Sequence, residues 1–212
     1  AQKEGALLIP KTVVVDFIRE NGKVIGVLTD RPQGEVYAPL VIICEGVNNL
    51  LTQKLGLIKH DLRPASAALA VKQLIALPSI TINTRFGLTD NQHGLAASVL
   101  GDVSMGLPGL GFIYTGVDCV SIGMGVTLDS LTKAHVKPYE LLQRYLDHPQ
   151  IAPLIAGGRL MEYGAHIIPE GGWKDMPQLY TDGALVVGDA ASMVNALHWE
   201  GTNMAILAGK AA

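Results

Sequence analysis

The apolar run Ala184-Leu185-Val186-Val187 ends in Gly188-Asp189-Ala190-Ala191, and Glu200-Gly201-Thr202-Asn203 opens a further apolar stretch running through Met204 to Ala208. The first pattern reads as a buried strand that delivers an acceptor-only carboxylate to the carboxyl edge of a sheet, beside a glycine with no side chain to hold a ligand away. Open α/β sheets bind nucleotides at that edge. The second pattern reads as a helix start at Gly201 and Thr202, whose first N–H groups have no partner inside the helix. Such donors hold anions or electron-rich ring edges. A lone Gly-Asp is more often a cap or a turn, but strand, carboxylate and second glycine-led helix start occur here together, and the combination points to a nucleotide-type cofactor.

Other stretches frame that pair. Leu40-Val41-Ile42-Ile43-Cys44-Glu45-Gly46-Val47-Asn48-Asn49 is another apolar run ending in an acid and a glycine. Arg85-Phe86-Gly87-Leu88, Gly111-Phe112-Ile113-Tyr114-Thr115 and Glu162-Tyr163-Gly164-Ala165-His166-Ile167-Ile168-Pro169-Glu170-Gly171-Gly172 follow in order. With Gly188-Asp189, these segments resemble the FixC and electron-transfer flavoprotein–quinone oxidoreductase family, whose wider relatives include geranylgeranyl reductases. The resemblance spans nearly the whole chain.

It implies an FAD/NAD(P)-binding-domain-like fold of class α/β (α+β), with a partial Rossmann-type FAD-binding layer and an antiparallel-sheet substrate domain. It implies FAD as cofactor, with Asp189 accepting a hydrogen bond from a ribityl hydroxyl and Gly201, Thr202 and Asn203 beside the pyrimidine edge of the isoalloxazine. Gly188 and Gly46 fall near the same cofactor. The implied activity passes electrons from an electron-transfer flavoprotein to a quinone or a ferredoxin-like acceptor. A flavin-dependent prenyl (geranylgeranyl) reductase and a non-catalytic binding module are the alternatives. The resemblance names no catalytic residue.

Two departures stand out. Glu45 replaces the family's Asp and is one methylene longer, which weakens any flavin contact assigned to it. The family's three glycines before Phe-Tyr-Thr are here Gly109-Leu110-Gly111, and its next Asn is Gly116, so partner choice is the property most exposed to change.

No Gly-x-Gly-x-x-Gly turn is present; Gly106-Leu107-Pro108-Gly109-Leu110-Gly111 carries a proline and no following helix. The expectation is an internal fragment of a longer protein, with FAD held by the full-length chain and poorly or not at all by this piece. Two cysteines, Cys44 and Cys119, are too few for an iron–sulfur cluster and read as reduced, buried thiols. No histidine pair has metal-ligand spacing, and no hydrolytic triad is identifiable.

Among 212 residues, 49% hydrophobic, the net charge is −3 with no basic run, which leaves no footprint for nucleic acid. No stretch reaches the roughly 18 apolar residues of a membrane span. A cytoplasmic protein with room for peripheral membrane contact is the expectation.

The elements that position these residues read as three segments. Residues 1–64 give a β-meander with an Asn21-Gly22 hairpin signal, a fully buried strand over Val41 to Cys44, and a short helix over Asn49 to Leu55 stopped by Gly56. Residues 65–172 give an antiparallel substrate or quinone-side domain with strands at Ala67 to Leu74, Thr81 to Phe86, Gly94 to Leu100, Gly111 to Tyr114 and Cys119 to Val126. A helix covers 138–146, and Ile151 to Ile155 suggests another. Residues 173–212 return to the FAD-binding layer.

His166 suits either a flavin or quinone pocket or an ordinary strand position, and His198 and Glu200 suit either a cofactor-site wall or a surface loop. Leu107 to Tyr114 suits an apolar tunnel, a membrane-dipping loop or a buried loop leading into a strand.

Overall fold

The computed structural model describes residues 2–195 and 200–212, and its chain divides into two units, Ala1–Asp61 with Gly171–Ala212, and Leu62–Glu170. The first unit starts with an antiparallel meander of β1 (Val14–Glu20), β2 (Lys23–Thr29) and β3 (Glu35–Tyr37). Asn21 and Gly22 turn β1 into β2 with φ values of 50° and 85°, the left-handed pair that a two-residue hairpin demands. β4 (Val41–Ile43) leads through a 3-10 turn at Gly46–Asn48 into α1 (Leu50–Lys54).

β4 is not the fully buried strand its composition suggests. Ile43 is buried, but Ile42 is 44% exposed and Cys44 is exposed, because successive side chains leave opposite faces and the core covers one. The expectation of two buried thiols fails with it, since Cys119 is only half-buried. Its thiol is pushed up by burial and, secondarily, by Asp118.

The second unit is built on β5 (Ala67–Ala76), α2 (Ser79–Phe86), β6 (Ala96–Val99), β7 (Gly109–Thr115), β8 (Cys119–Thr127), α3 (Leu128–Ala134), α4 (Pro138–Leu146), α5 (Ala152–Ile155) and β9 (Arg159–Pro169). Its strands form one antiparallel sheet in the order β6-β7-β8-β5-β9. Val71, Ile75, Ile113, Ile122 and Met124 on one sheet face pack with Leu141, Leu142 and Tyr145 of α4 into a single core.

Thr81 to Phe86 is helix, not strand. Its β-branched residues favour a strand weakly, but Pro78 precedes the first turn, Ile82 is fully buried, and Gly87 closes the helix at φ 67°.

Returning to the first unit, β10 (Tyr180–Thr181) and β11 (Ala184–Val186) form a hairpin, and α6 (Thr202–Ala211) completes the elements. β11 lies parallel to β4, with Ala184, Leu185 and Val186 opposite Val41, Ile42 and Ile43. Phe17, Val24, Ile43, Leu57, Ala184 and Val186 are buried in this unit's core. The overall class is α/β (α+β), combining a parallel strand pair with an antiparallel sheet and helices.

Candidate functional sites

Parallel pairing in register puts the carboxyl ends of β4 and β11 side by side, so Glu45-Gly46 and Gly188-Asp189 emerge at one edge. Each strand runs into a 3-10 turn, Gly46–Asn48 and Gly188–Ala191, and the two turns touch. Both glycines sit at positive φ, 75° at Gly46 and 66° at Gly188, a conformation that strains any residue with a Cβ.

The helix start reaches the same place. A methyl group on Gly201 would lie 3.2 Å from Asp189 Oδ1, and one on Gly188 would lie 3.4 Å from Ala205 Cβ. The missing Cβ of Gly201 therefore eases the close approach of the Asp189 carboxylate, whereas Gly188 meets Ala205 at an ordinary contact distance. The first bond of the α6 ladder runs from Ala205 N–H to Gly201 O, leaving the N–H groups of Thr202, Asn203 and Met204 upstream of it. Thr202 and Asn203 are exposed, and the Asn203 side-chain amide donates to Glu200 Oε1 at 2.6 Å. Glu200 thus braces the helix start. Asn195 and Glu200 exchange two backbone hydrogen bonds, and His198 lies outside the described residues.

Glu45 has a role that sequence reading missed. One carboxylate oxygen accepts the Leu51 N–H at 2.8 Å, and the other accepts both the Thr52 N–H and the Thr52 hydroxyl at 2.7 Å. Both oxygens are engaged with the start of α1. The extra methylene lets the side chain span six and seven residues to reach it, and it satisfies Thr52, a fully buried hydroxyl that requires a partner.

The second unit carries a different surface. Register places Ser98, Phe112, Gly123, Lys72 and Gly164 in one row across the sheet, pointing away from the helices. The next row in one direction is Leu110, Gly125, Ala70 and His166. In the other it is Ala96, Tyr114, Ser121, Leu74 and Glu162. The floor of this face is small, with Gly123, Gly125, Ala70 and Gly164 near its centre.

Phe112 and Tyr114 stack with centroids 5.1 Å apart and planes inclined by 20°. The Phe112 ring rests on Gly123, where a Cβ would come within 2.5 Å of Phe112 Cζ. Lys72 lies 3.9 Å from Glu162, both half in solvent, and His166 is exposed beside them. The arrangement offers an aromatic wall, a flat floor and a few polar groups, which suits a planar, mostly apolar molecule. Leu107 to Tyr114 is therefore largely strand β7, with Leu110, Phe112 and Tyr114 on this face and Gly111 and Ile113 turned to the helices.

Among the described residues, no cluster of side chains could hold a metal ion and no helix is long and apolar enough to cross a membrane.

Residues 91–168, from just before β6 almost to the end of β9, match the family model described as ETF-QO, ubiquinone-binding. The FixC protein of Azorhizobium caulinodans is 44% identical over 212 residues, which is all of this chain and 48% of that protein. FixC of Escherichia coli K12 is 42% identical over 215 aligned residues, again covering the whole chain and 49% of the relative. A geranylgeranyl bacteriochlorophyll reductase-like protein from Thermoplasma acidophilum shares the fold, with a TM-score of 0.73 and 20% identity over 97% of this chain and 48% of its own. The chain thus spans about half the length of the relatives it matches. With identity of this order along its entire length and a matching domain model within it, the chain belongs to the FixC and electron-transfer flavoprotein–quinone oxidoreductase family.

Proposed function

We propose that the intact protein is an FAD-dependent oxidoreductase that takes electrons from an electron-transfer flavoprotein and passes them to a quinone or a ferredoxin-like acceptor. The observation that carries this reading is the convergence of Asp189 and the start of α6 beside two glycines, with Gly201 so close to Asp189 Oδ1 that a Cβ there would be crowded. Those residues fit a flavin. Asp189 would accept a ribityl hydroxyl, and the N–H groups at Thr202 and Asn203 would face the pyrimidine edge, with Gly188, Gly201 and Gly46 giving close approach.

Bound FAD supplies the two-electron chemistry. What this chain adds is electrostatic: the positive end of α6 favours negative charge beside it and so raises the reduction potential of a group held there. Both carboxylate oxygens of Glu45 are hydrogen-bonded at the start of α1, and Glu45 is not among the proposed flavin contacts. On the second unit, the Phe112–Tyr114 wall and small-residue floor would take a quinone ring by stacking, and the match of this region to a ubiquinone-binding model supports that assignment.

Replacing Asp189 with Ala in the full-length protein should weaken FAD retention about ten- to hundredfold, the loss expected of one charge-assisted hydrogen bond. Flavin content per protein, read by absorbance after gel filtration, checks it. Undiminished flavin in the variant would remove Asp189 from the site. A colourless wild-type protein that refuses added FAD would instead favour a non-catalytic binding module. Turnover of a prenyl lipid in place of flavin reoxidation by quinone would favour the reductase alternative.

A further inference from the structure

Lys72 stands between two glycines on the face of the second unit's sheet that points away from the helices. Its cross-strand neighbour on β8 is Gly123 and its neighbour on β9 is Gly164, so no side chain stands directly beside it on either strand. Phe112, one strand further on, leans into the first gap. A Cβ on Gly123 would lie 2.5 Å from Phe112 Cζ and 2.8 Å from Lys72 Cβ, which makes the aromatic ring and the lysine stem neighbours. The lysine itself crosses the second gap. A Cβ on Gly164 would lie 3.7 Å from Lys72 Cε and 3.6 Å from Glu162 Oε1. The stem thus begins at the aromatic wall and carries its charge toward β9.

That charge is steered but not consumed. Lys72 Nζ stands 3.9 Å from Glu162 Oε1, beyond the roughly 3.2 Å reach of a hydrogen bond, and both side chains are about half exposed. Other lysines of the chain are tied down: Lys54 donates to Val15 O and Lys133 to Asp129 Oδ2, each at 2.6 Å. Glu162 therefore holds the Lys72 ammonium over the sheet by its field while leaving the N–H donors to a ligand. The pair is neutral together, which disfavours an anion. The chemistry that fits is an uncharged planar ring stacked on Phe112 and Tyr114, with an oxygen acceptor in the ring plane. A quinone has that form.

We infer that Lys72 is the positioning residue for the quinone: its ammonium donates a hydrogen bond to one ring carbonyl while Phe112 and Tyr114 hold the ring. The contact fixes which carbonyl faces β9 and transfers no proton. This inference rests on the quinone reading of the sheet face and adds to it the group that orients the ring.

A ubiquinone carrying a single prenyl unit is the probe. Its dissociation constant would be measured by isothermal titration calorimetry on the full-length protein and on Lys72→Met, Lys72→Arg and Phe112→Ala. Lys72→Met keeps the apolar stem and removes the donors, and it should weaken binding about tenfold or more. Lys72→Arg restores a charged donor and should recover most of the affinity. Phe112→Ala, which removes the stacking ring, should weaken binding by itself. A wild type that binds no quinone would overturn the quinone reading and this inference with it. Binding that falls in Phe112→Ala but is equal in the wild type and Lys72→Met would leave the quinone reading standing and overturn the role of Lys72. A loss in Lys72→Arg as deep as in Lys72→Met would overturn that role too.

Discussion

Glu170, at the end of β9, keeps its Oε1 buried with no hydrogen-bond partner among the described residues, and burial raises its carboxyl from the ordinary 4.5 to about 7. The native state therefore holds this proton to higher pH than the unfolded chain does. The corresponding stability is fully present below about pH 4.5 and is lost as pH rises through about 7. Glu170→Gln keeps the shape and removes the ionisation. Its melting temperature should gain on the wild type steadily between about pH 5 and about pH 8, in a thermal-shift series across that range. Two parallel curves would show that the carboxylate is solvated after all. Single residues also mark where sequence reading stopped. The strand, turn and helix start around Gly188-Asp189 and Gly201 were legible because an apolar run, a Gly-Asp and a second glycine-led apolar run occur together. The service of Glu45 to α1 was not, because a contact six residues away depends on how the intervening turn folds.

Elements were legible where one period dominated. The helix expected over 138–146 is α4 as observed, since proline at its start and the spacing of Leu141, Leu142, Tyr145 and Leu146 agree. The Asn21-Gly22 hairpin was equally plain. Thr81 to Phe86 misled because β-branched residues express a weak strand preference that burial of Ile82 overrides, while Pro78 and Gly87 were the stronger punctuation. β9 and α3 were not assigned from sequence. In β9 most residues are exposed on both faces, so no alternation of apolar and polar types betrays it. The sheet's own tolerance is testable at Gly123, where a Cβ would come within 2.5 Å of both the Phe112 ring and the backbone oxygen of Val71. Gly123→Ala should cost about 1–3 kcal/mol or more in urea unfolding. Gly209→Ala, at an open helical position, should instead be neutral or stabilising by up to about 1 kcal/mol. Similar losses in the two variants would refute the close packing of β8 under Phe112.

At the scale of the whole molecule, the two units differ in how they are wired. Leu62–Glu170 is one continuous stretch with its own sheet and core, whereas the other unit is assembled from both ends of the chain. Expressed alone, residues 62–170 should unfold in a single cooperative urea transition, and residues 1–61 should not, because β4 lacks β11. Circular dichroism across the titration would decide it, and a cooperative transition in residues 1–61 would show that the parallel pair is dispensable. The same wiring sets a timetable for the ribosome. Everything between Ile43 and Ala184 must be made before β4 meets its neighbour. At about 5–20 residues per second, that wait lasts roughly seven to thirty seconds. For that interval the nascent chain displays an unsatisfied strand edge, and Asp189 and α6 are still untranslated. The exposure of that edge during synthesis is thus a property of the connectivity.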